Sequence, residues 1–395
     1  MKVLQLCNKP PKPEVDGGCI AMSRISEGLI KKEIELKILT ACTDKHPFLK
    51  EKIPADFQKA TDIEGIYLDT RVNVIDAFSA LVTADSYNVN RFFSPDFDKR
   101  IKELLTMVEY DVVHLESLFM TPYISSIRQT SSAKIILRSH NLEHLIWERL
   151  ANSTGNKAKK MYLKHLASKL KKYECKTINE VDGIAAISKE DHDRFIEFEC
   201  NKPIISLPFG IELDDYPFKN EERGKSNKLF HIGAMNWQPN KEAINWFTDT
   251  VWPLLKEEDV SLHLAGREMP SYMNSIASDK LVIHGEVDCA QEFMNDHDIM
   301  IVPLLSGSGM RIKIIEGMAL GKAIISTTVG AEGIDCTHGE NILIADSSEE
   351  FANCIKSLIS DPEKVERMGK NARELVEKKF DNSVIIDQLL NFYKS

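Results

Sequence analysis

Between Ser306 and Thr328 the chain reads SGSGMRIKIIEGMALGKAIISTT, a short Gly-Ser loop followed by an apolar helical pattern that carries Arg311, Lys313 and Glu316. Glycines let a ligand approach the backbone, and a helix N-terminus offers free N–H groups and a partial positive charge. Two cations at that end oppose the helix dipole, so local helix stability does not explain them. A bound anion would. A diphosphate suits the pair, with the Arg311 guanidinium forking onto two oxygens and Lys313 acting as a point charge. Glu316 beside a phosphate site repels the ligand unless it accepts hydrogen bonds from sugar hydroxyls. The same residues also suit a plain helix start with solvated charges, because a short Gly-rich loop is a weak signal.

Positioning such a loop requires a strand before it and a helix after it, and the chain repeats that pattern throughout. Short Val/Ile/Leu-rich runs are VLQL, LKILT, IYLD, DVVHLE, KIILRSH, GIAAIS and PIISLP in the first half. KLFHIG, VSLHLAG, LVIHGE, IMIVPL, KAIIST and ILIAD follow in the second. Runs without alternation suit strands buried on both faces, and their interleaving with helical stretches argues for α/β architecture. The segment from Leu207 to Lys228 holds two prolines, two glycines and dense charge, and reads as a linker between two doubly wound domains. Ligands of such sheets bind beyond the carboxyl ends of the strands.

Bulk properties narrow the function. The 395 residues are 43% hydrophobic with a formal charge of −10, which suits packed cores and argues against a nucleic-acid partner. The eight scattered cysteines include no C-x-x-C pair, so reduced thiols are expected, with no compact cysteine set for zinc. No apolar stretch is long enough to span a membrane, and MKVLQLC reads as a first strand rather than a signal peptide. One segment departs from the acidic background. Asn156 to Lys176 holds eight lysines and one glutamate, a local +7 that leaves −17 elsewhere. Leu163, Leu166, Leu170 and Tyr173 follow helical spacing as a buried stripe. The remaining face is either solvated or a contact for anionic lipid or an acidic acceptor.

The pattern G-x-G-x-R-x-K-x-x-E-G-M-A-x-G-K resembles the donor-binding segment of retaining glycosyltransferases of family 4, within glycosyl transferases group 1. The resemblance covers nearly the whole chain. It implies the GT-B fold: two Rossmann-like doubly wound parallel-sheet domains facing a cleft, with an acceptor-binding domain over 1–207 and a donor-binding domain over 208–378. A C-terminal helix over 379–395 would pack back toward the first domain. PEVDGGCIAMSRISEGLIKK resembles the family's first strand-to-helix turn, placing Gly17 and Gly18 at the donor phosphates. AAISKEDHDRF and LPFGIELDDY resemble the passage into the second domain, with Phe209 in an asparagine's place and Glu212 in an aspartate's. HIGAMNWQPNKEAINWF resembles the first turn of the donor domain, with Gly233, but lacks a Gly-Arg…Lys pair. HGEV puts Glu286 and Val287 at the nucleobase.

Gly307, Ser308, Gly309, Met310 and Ile312 complete the donor loop, and Glu316 matches the ribose-binding glutamate. Ser308 stands where a second glutamate is usual, so a carboxylate contact to the sugar is missing there. On the acceptor side the resemblance points to Glu116, His140, Asn141 and Glu143, with Trp147, Tyr87, Phe92 and Phe93 as further candidates. The implied reaction is front-face transfer of a hexose from a nucleotide diphosphate sugar to a glycan or lipid-linked acceptor, in bacterial polysaccharide or glycan biosynthesis. Arg311, Lys313 and His140 would be catalytic, and no metal or other cofactor is required. The expected location is cytoplasmic, peripheral on the inner face of the membrane through the lysine-rich helix. The alternatives are a sugar-nucleotide 2-epimerase and a non-catalytic sugar-nucleotide-binding protein.

Overall fold

The computed structural model describes residues 1–70, 87–218, 227–307 and 310–395. They form two compact units, Met1–Gly210 with Ile385–Ser395, and Ile211–Val384. All thirteen apolar runs are strands. In the first unit β1 (Lys2–Cys7), β2 (Glu35–Cys42), β3 (Glu64–Tyr67), β4 (Val112–Glu116), β5 (Lys134–Ser139), β6 (Gly183–Ala186) and β7 (Ile204–Ser206) make one parallel sheet in the order 3-2-1-4-5-6-7. In the second, β8 (Lys228–Ile232), β9 (Ser261–Ala265), β10 (Leu281–Gly285), β11 (Ile299–Val302), β12 (Ala323–Ser326) and β13 (Leu343–Ile344) make another, in the order 10-9-8-11-12-13.

The strands read as continuous apolar runs because both faces of each sheet are covered. Within β1, Leu4 and Leu6 join one core and Val3 and Cys7 the other, as the two-residue side-chain period requires. The second face is closed in part by the chain's last helix, Asn382–Lys394. Ile385, Ile386, Leu389, Phe392 and Tyr393 from that helix join the core that holds Val3, Val112 and Ala185. A Cβ at Gly183 would stand 2.6 Å from the Phe392 ring, so β6 admits the helix only where a side chain is missing.

The linker expected after Leu207 is ordered in its first half. Phe209, Ile211 and Tyr216 are buried, and Arg373 Nη1 donates to the Tyr216 carbonyl at 2.7 Å. Its charged second half, 219–226, lies outside the described residues. Each sheet changes direction once, between β1 and β4 and between β8 and β11. In sheets of this kind the loops diverge at the switch point and ligands bind beyond the carboxyl ends of the strands there.

Truncating the helix that closes the first unit tests this packing. Phe392→Ala should destabilise that unit by about 3–5 kcal/mol. Amide exchange along β5 and β6 should then accelerate while the second sheet exchanges as before. Unchanged exchange in β5 and β6 would contradict the contact.

Candidate functional site

Both groups of candidate residues lie beyond strand ends at the switch points. In the first unit the organising group is Glu116, the last residue of β4, with no solvent exposure. Gln5 Nε2 donates to its Oε1 at 2.9 Å, and Ser26 Oγ donates in turn to Gln5 Oε1 at 2.8 Å. His114 Nε2 lies 3.1 Å from Oε1, and His140 Nε2 lies 2.6 Å from Oε2. Arg138 Nη1 reaches Oε2 at 3.4 Å, and Tyr393 of the C-terminal helix meets His114 Nδ1 at 2.6 Å. Burial alone would raise the Glu116 carboxyl. The Arg138 guanidinium and the two imidazoles outweigh it and hold the group well below the usual carboxylate range.

An ionised Glu116 dictates the histidine tautomers. A carboxylate only accepts, so His114 and His140 each present Nε2–H to it. Burial lowers the His140 pKa, and nearby Arg138 adds to this against the pull of Glu116. His140 is therefore neutral near pH 7 with its proton on Nε2, which leaves Nδ1 as an acceptor. Glu116 touches no solvent; it acts through His140.

Beyond β5, Leu142 leads into the Glu143–Ser153 helix, which packs against the Lys157–Thr177 helix. Glu174 of the second helix accepts from the backbone N–H groups of Glu143 and His144, at 2.9 and 3.0 Å, and from His144 Nδ1. Burial, with the Glu174 charge nearby, pushes the Glu143 carboxyl up to about 7, while a hydrogen bond from Asn141 opposes the shift. Phe93 is exposed. Phe92 stacks on Phe119 with ring centres 4.5 Å apart. Trp147 packs against the small core of Val89, Leu118 and Leu170. The Tyr87 side chain lies outside the described residues.

Gly17 and Gly18 open the Gly17–Lys31 helix after β1. Asp16 caps it, accepting from Cys19 N at 2.9 Å and Lys9 Nζ at 2.7 Å, with His46 Nε2 at 3.1 Å. Gly17 has nothing within 4 Å of a notional Cβ, whereas Gly18 lies against Lys9.

In the second unit the helix begins at Ile312, with Arg311 extended at the N-cap position rather than inside the helix. Arg311 stacks over Trp237 from the loop after β8, its guanidinium carbon 5.2 Å from the ring centre. Gly307 makes room for this stack. Its φ is +120°, and a Cβ would lie 2.8 Å from Arg311 Nη2 and 3.0 Å from Trp237. Lys313 pairs with Glu316 at 2.8 Å across one helical turn, and Tyr216 O–H donates to Glu316 Oε1 at 2.7 Å. Ser308 and Gly309 lie outside the described residues; Met310 and Ile312 flank Arg311.

At the neighbouring strand end, Gly233 and Gly266 touch. Gly266 has φ +154°, and a Cβ there would fall 1.8 Å from the Gly233 carbonyl oxygen. Buried His231 donates Nδ1–H to Ile301 O at 3.0 Å, and burial pushes its pKa down to about 4. Glu286 is exposed just past β10, and Val287 is half-buried. Sequence reasoning missed Trp237 beneath Arg311 and Tyr216 beside Glu316. They lie some 70 and 100 residues away in sequence from the groups they hold.

This architecture has known counterparts. Residues 226–361 match the family model described as Glycosyl transferases group 1. That match lies within the second unit. The two parallel-sheet α/β units match the fold of GT-B glycosyltransferase structures. An uncharacterised 44.6 kDa protein in the cps region of Klebsiella pneumoniae is 25% identical over 308 residues, covering 73% of this chain and 76% of that one. An uncharacterised glycosyltransferase of Methanocaldococcus jannaschii is 22% identical over 326 residues, covering 77% and 80%. Among solved structures, Anabaena HepE in complex with UDP superposes with a TM-score of 0.69 over 100% of both chains at 13% identity. None of the eight cysteines is paired, and no described helix is long and apolar enough to cross a membrane.

The Glu116 network has a definite pH signature. Its folded pKa lies well below the ordinary glutamate value, so its stabilisation is complete above about 4.5 and is lost as the pH falls through the folded value. Glu116→Gln leaves buried Arg138 uncompensated and should cost about 3–5 kcal/mol at neutral pH. In urea unfolding the deficit should narrow as the pH drops below about 4. A deficit equal at neutral and acid pH would show that the carboxyl is not ionised.

Proposed function

We propose that the chain is a retaining, metal-independent glycosyltransferase of family 4, moving a hexose from a nucleoside-diphosphate sugar to an acceptor hydroxyl. The observation that carries this reading is the placement of Arg311. It leads a helix N-terminus at the switch point of the second sheet, braced on Trp237, with Lys313 and Glu316 on the turn that follows. N–H groups, a guanidinium and an ammonium together stabilise a departing diphosphate. The HepE structures with UDP and with UDP-glucose support a nucleotide-sugar donor and make UDP-glucose the first one to test. The relative from the cps region supports a role in polysaccharide or glycan assembly.

In this reading the bond from the anomeric carbon to the diphosphate breaks as the acceptor oxygen approaches the same face. The acceptor proton passes to the departing phosphate oxygen. Arg311 and Lys313 take up the growing negative charge. Glu316, held by Tyr216, accepts from the ribose hydroxyls. The pair between Lys313 and Glu316 has a use here: the ribose hydroxyls take the carboxylate and the phosphate takes the ammonium, so neither group is left without a partner. His140 offers a lone pair at Nδ1, which suits a sugar hydroxyl as donor better than a phosphate. Glu116 fixes that tautomer, and Asn141 and Glu143 lie beside His140 as acceptor-side groups. Gly17, Gly18, Gly233, Gly307, Met310 and Ile312 give backbone approach to the donor, and Glu286 and Val287 meet the base.

The lysine-rich helix supplies the membrane contact. It runs from Lys157 to Thr177 with Asn156 as its cap. Leu163, Ala167 and Leu170 are buried, whereas Leu166 is only half-buried, so Ala167 shares the inner stripe. Lys157, Lys159, Lys164 and Lys172 are exposed. Met161 and Tyr162 are exposed among them, at 73% and 42%, and Ile146 and Leu150 of the preceding helix add apolar surface. Lysines with apolar side chains between them suit an anionic lipid surface.

Arg311→Ala should slow transfer by about 2–4 kcal/mol, roughly 30- to 1,000-fold, in an assay of UDP released from UDP-glucose with acceptor present. Turnover equal to the parent's would remove Arg311 from the site. Epimerised donor without acceptor would instead identify an epimerase. For the surface, co-sedimentation with anionic liposomes should fall steeply with salt and vanish when Lys157, Lys159, Lys164 and Lys172 become Glu. Equal binding to neutral liposomes would contradict it.

A further inference from the structure

We propose that His263, His284 and His297 form a binding site for a divalent transition-metal ion of the Zn²⁺ class. The three residues are scattered in sequence and brought together by strand order. His263 lies within β9, His284 on the neighbouring edge strand β10, and His297 just ahead of β11. One ring nitrogen from each lies within 4.8 Å of the others. His263 Nδ1 and His284 Nε2 are 3.0 Å apart. Two nitrogens on one tetrahedral Zn²⁺, each about 2.0–2.1 Å from the metal, stand roughly 3.3 Å apart, so this pair already has the required spacing.

The second nitrogens support the assignment. His297 Nδ1 lies 2.6 Å from the Phe293 carbonyl and must carry its proton there, which leaves the lone pair on Nε2. His263 Nε2 lies 3.0 Å from Ser261 Oγ, which can hold that proton and leave Nδ1 as the donor atom. A metal-ligating histidine ordinarily has its other nitrogen fixed in this way. Phe230 and Phe293 pack against His297, with ring centres 5.7 and 4.3 Å away, and hold the inner ligand rigidly. His284 is exposed at the sheet edge, which leaves one side open to a water or an outside ligand as the fourth position. Lys228 is near enough to oppose a cation, and Asp296, beside His297, offsets it. A bound ion would tie β9, β10 and the lead into β11 together at the open edge of the sheet.

The test uses the full chain, freed of any affinity tag and stripped with chelator. On addition of Zn²⁺ and gel filtration it should retain about one ion per chain by elemental analysis, and its melting temperature should rise. Co²⁺ should give the visible absorption of a tetrahedral site. His284→Ala, a surface change that spares the core, should abolish retention and the melting shift, while His165→Ala, an exposed histidine elsewhere, should change neither. Failure of the parent to retain Zn²⁺, or equal retention by His284→Ala, would overturn the proposal.

Discussion

A buried, ionised carboxylate at the end of β4 constrains much of the first unit. Glu116 meets Gln5 from β1, His114 from its own strand, Arg138 from β5 and His140 just beyond β5. Through His114 it also reaches Tyr393 in the chain's last helix. A charge removed from water this completely is tolerated only when its lone pairs are satisfied. That requirement fixes the register of three strand ends, two imidazole tautomers and the seat of the C-terminal helix together.

The second unit solves a related problem in the opposite way. Its charges stand at a strand end too, but Lys313 remains substantially exposed and its pairing with Glu316 spans a single helical turn. Exposed pairs of this kind contribute little to stability and exchange partners at low cost. Trp237 stacks under Arg311 from an exposed position, and buried Tyr216 holds Glu316.

The thirteen strands were legible because a strand buried on both faces must be apolar throughout, and that pattern is local. The helix that carries Lys313 and Glu316 was legible because its apolar pattern is local too. Arg311 stands at its N-cap and stacks on Trp237, a contact that only the folded sheet provides. Tyr216 against Glu316, His114 against Tyr393 and the three histidines at the β9–β10 edge share that origin. Each pair is distant in sequence, and no spacing rule links residues that meet only through strand order. The lysine-rich helix shows the intermediate case: its charge was evident, but the exchange of Leu166 for Ala167 on the inner stripe depends on how the preceding helix packs.

The central claim is that Glu116 is ionised and forces His140 into its neutral Nε2–H form. Nitrogen-15 NMR of the histidine rings at neutral pH measures this directly. The account predicts a protonated Nε2 and an unprotonated Nδ1 for His140, with a pKa below 6.5. An imidazolium near pH 7, or a proton resting on Nδ1, would contradict it.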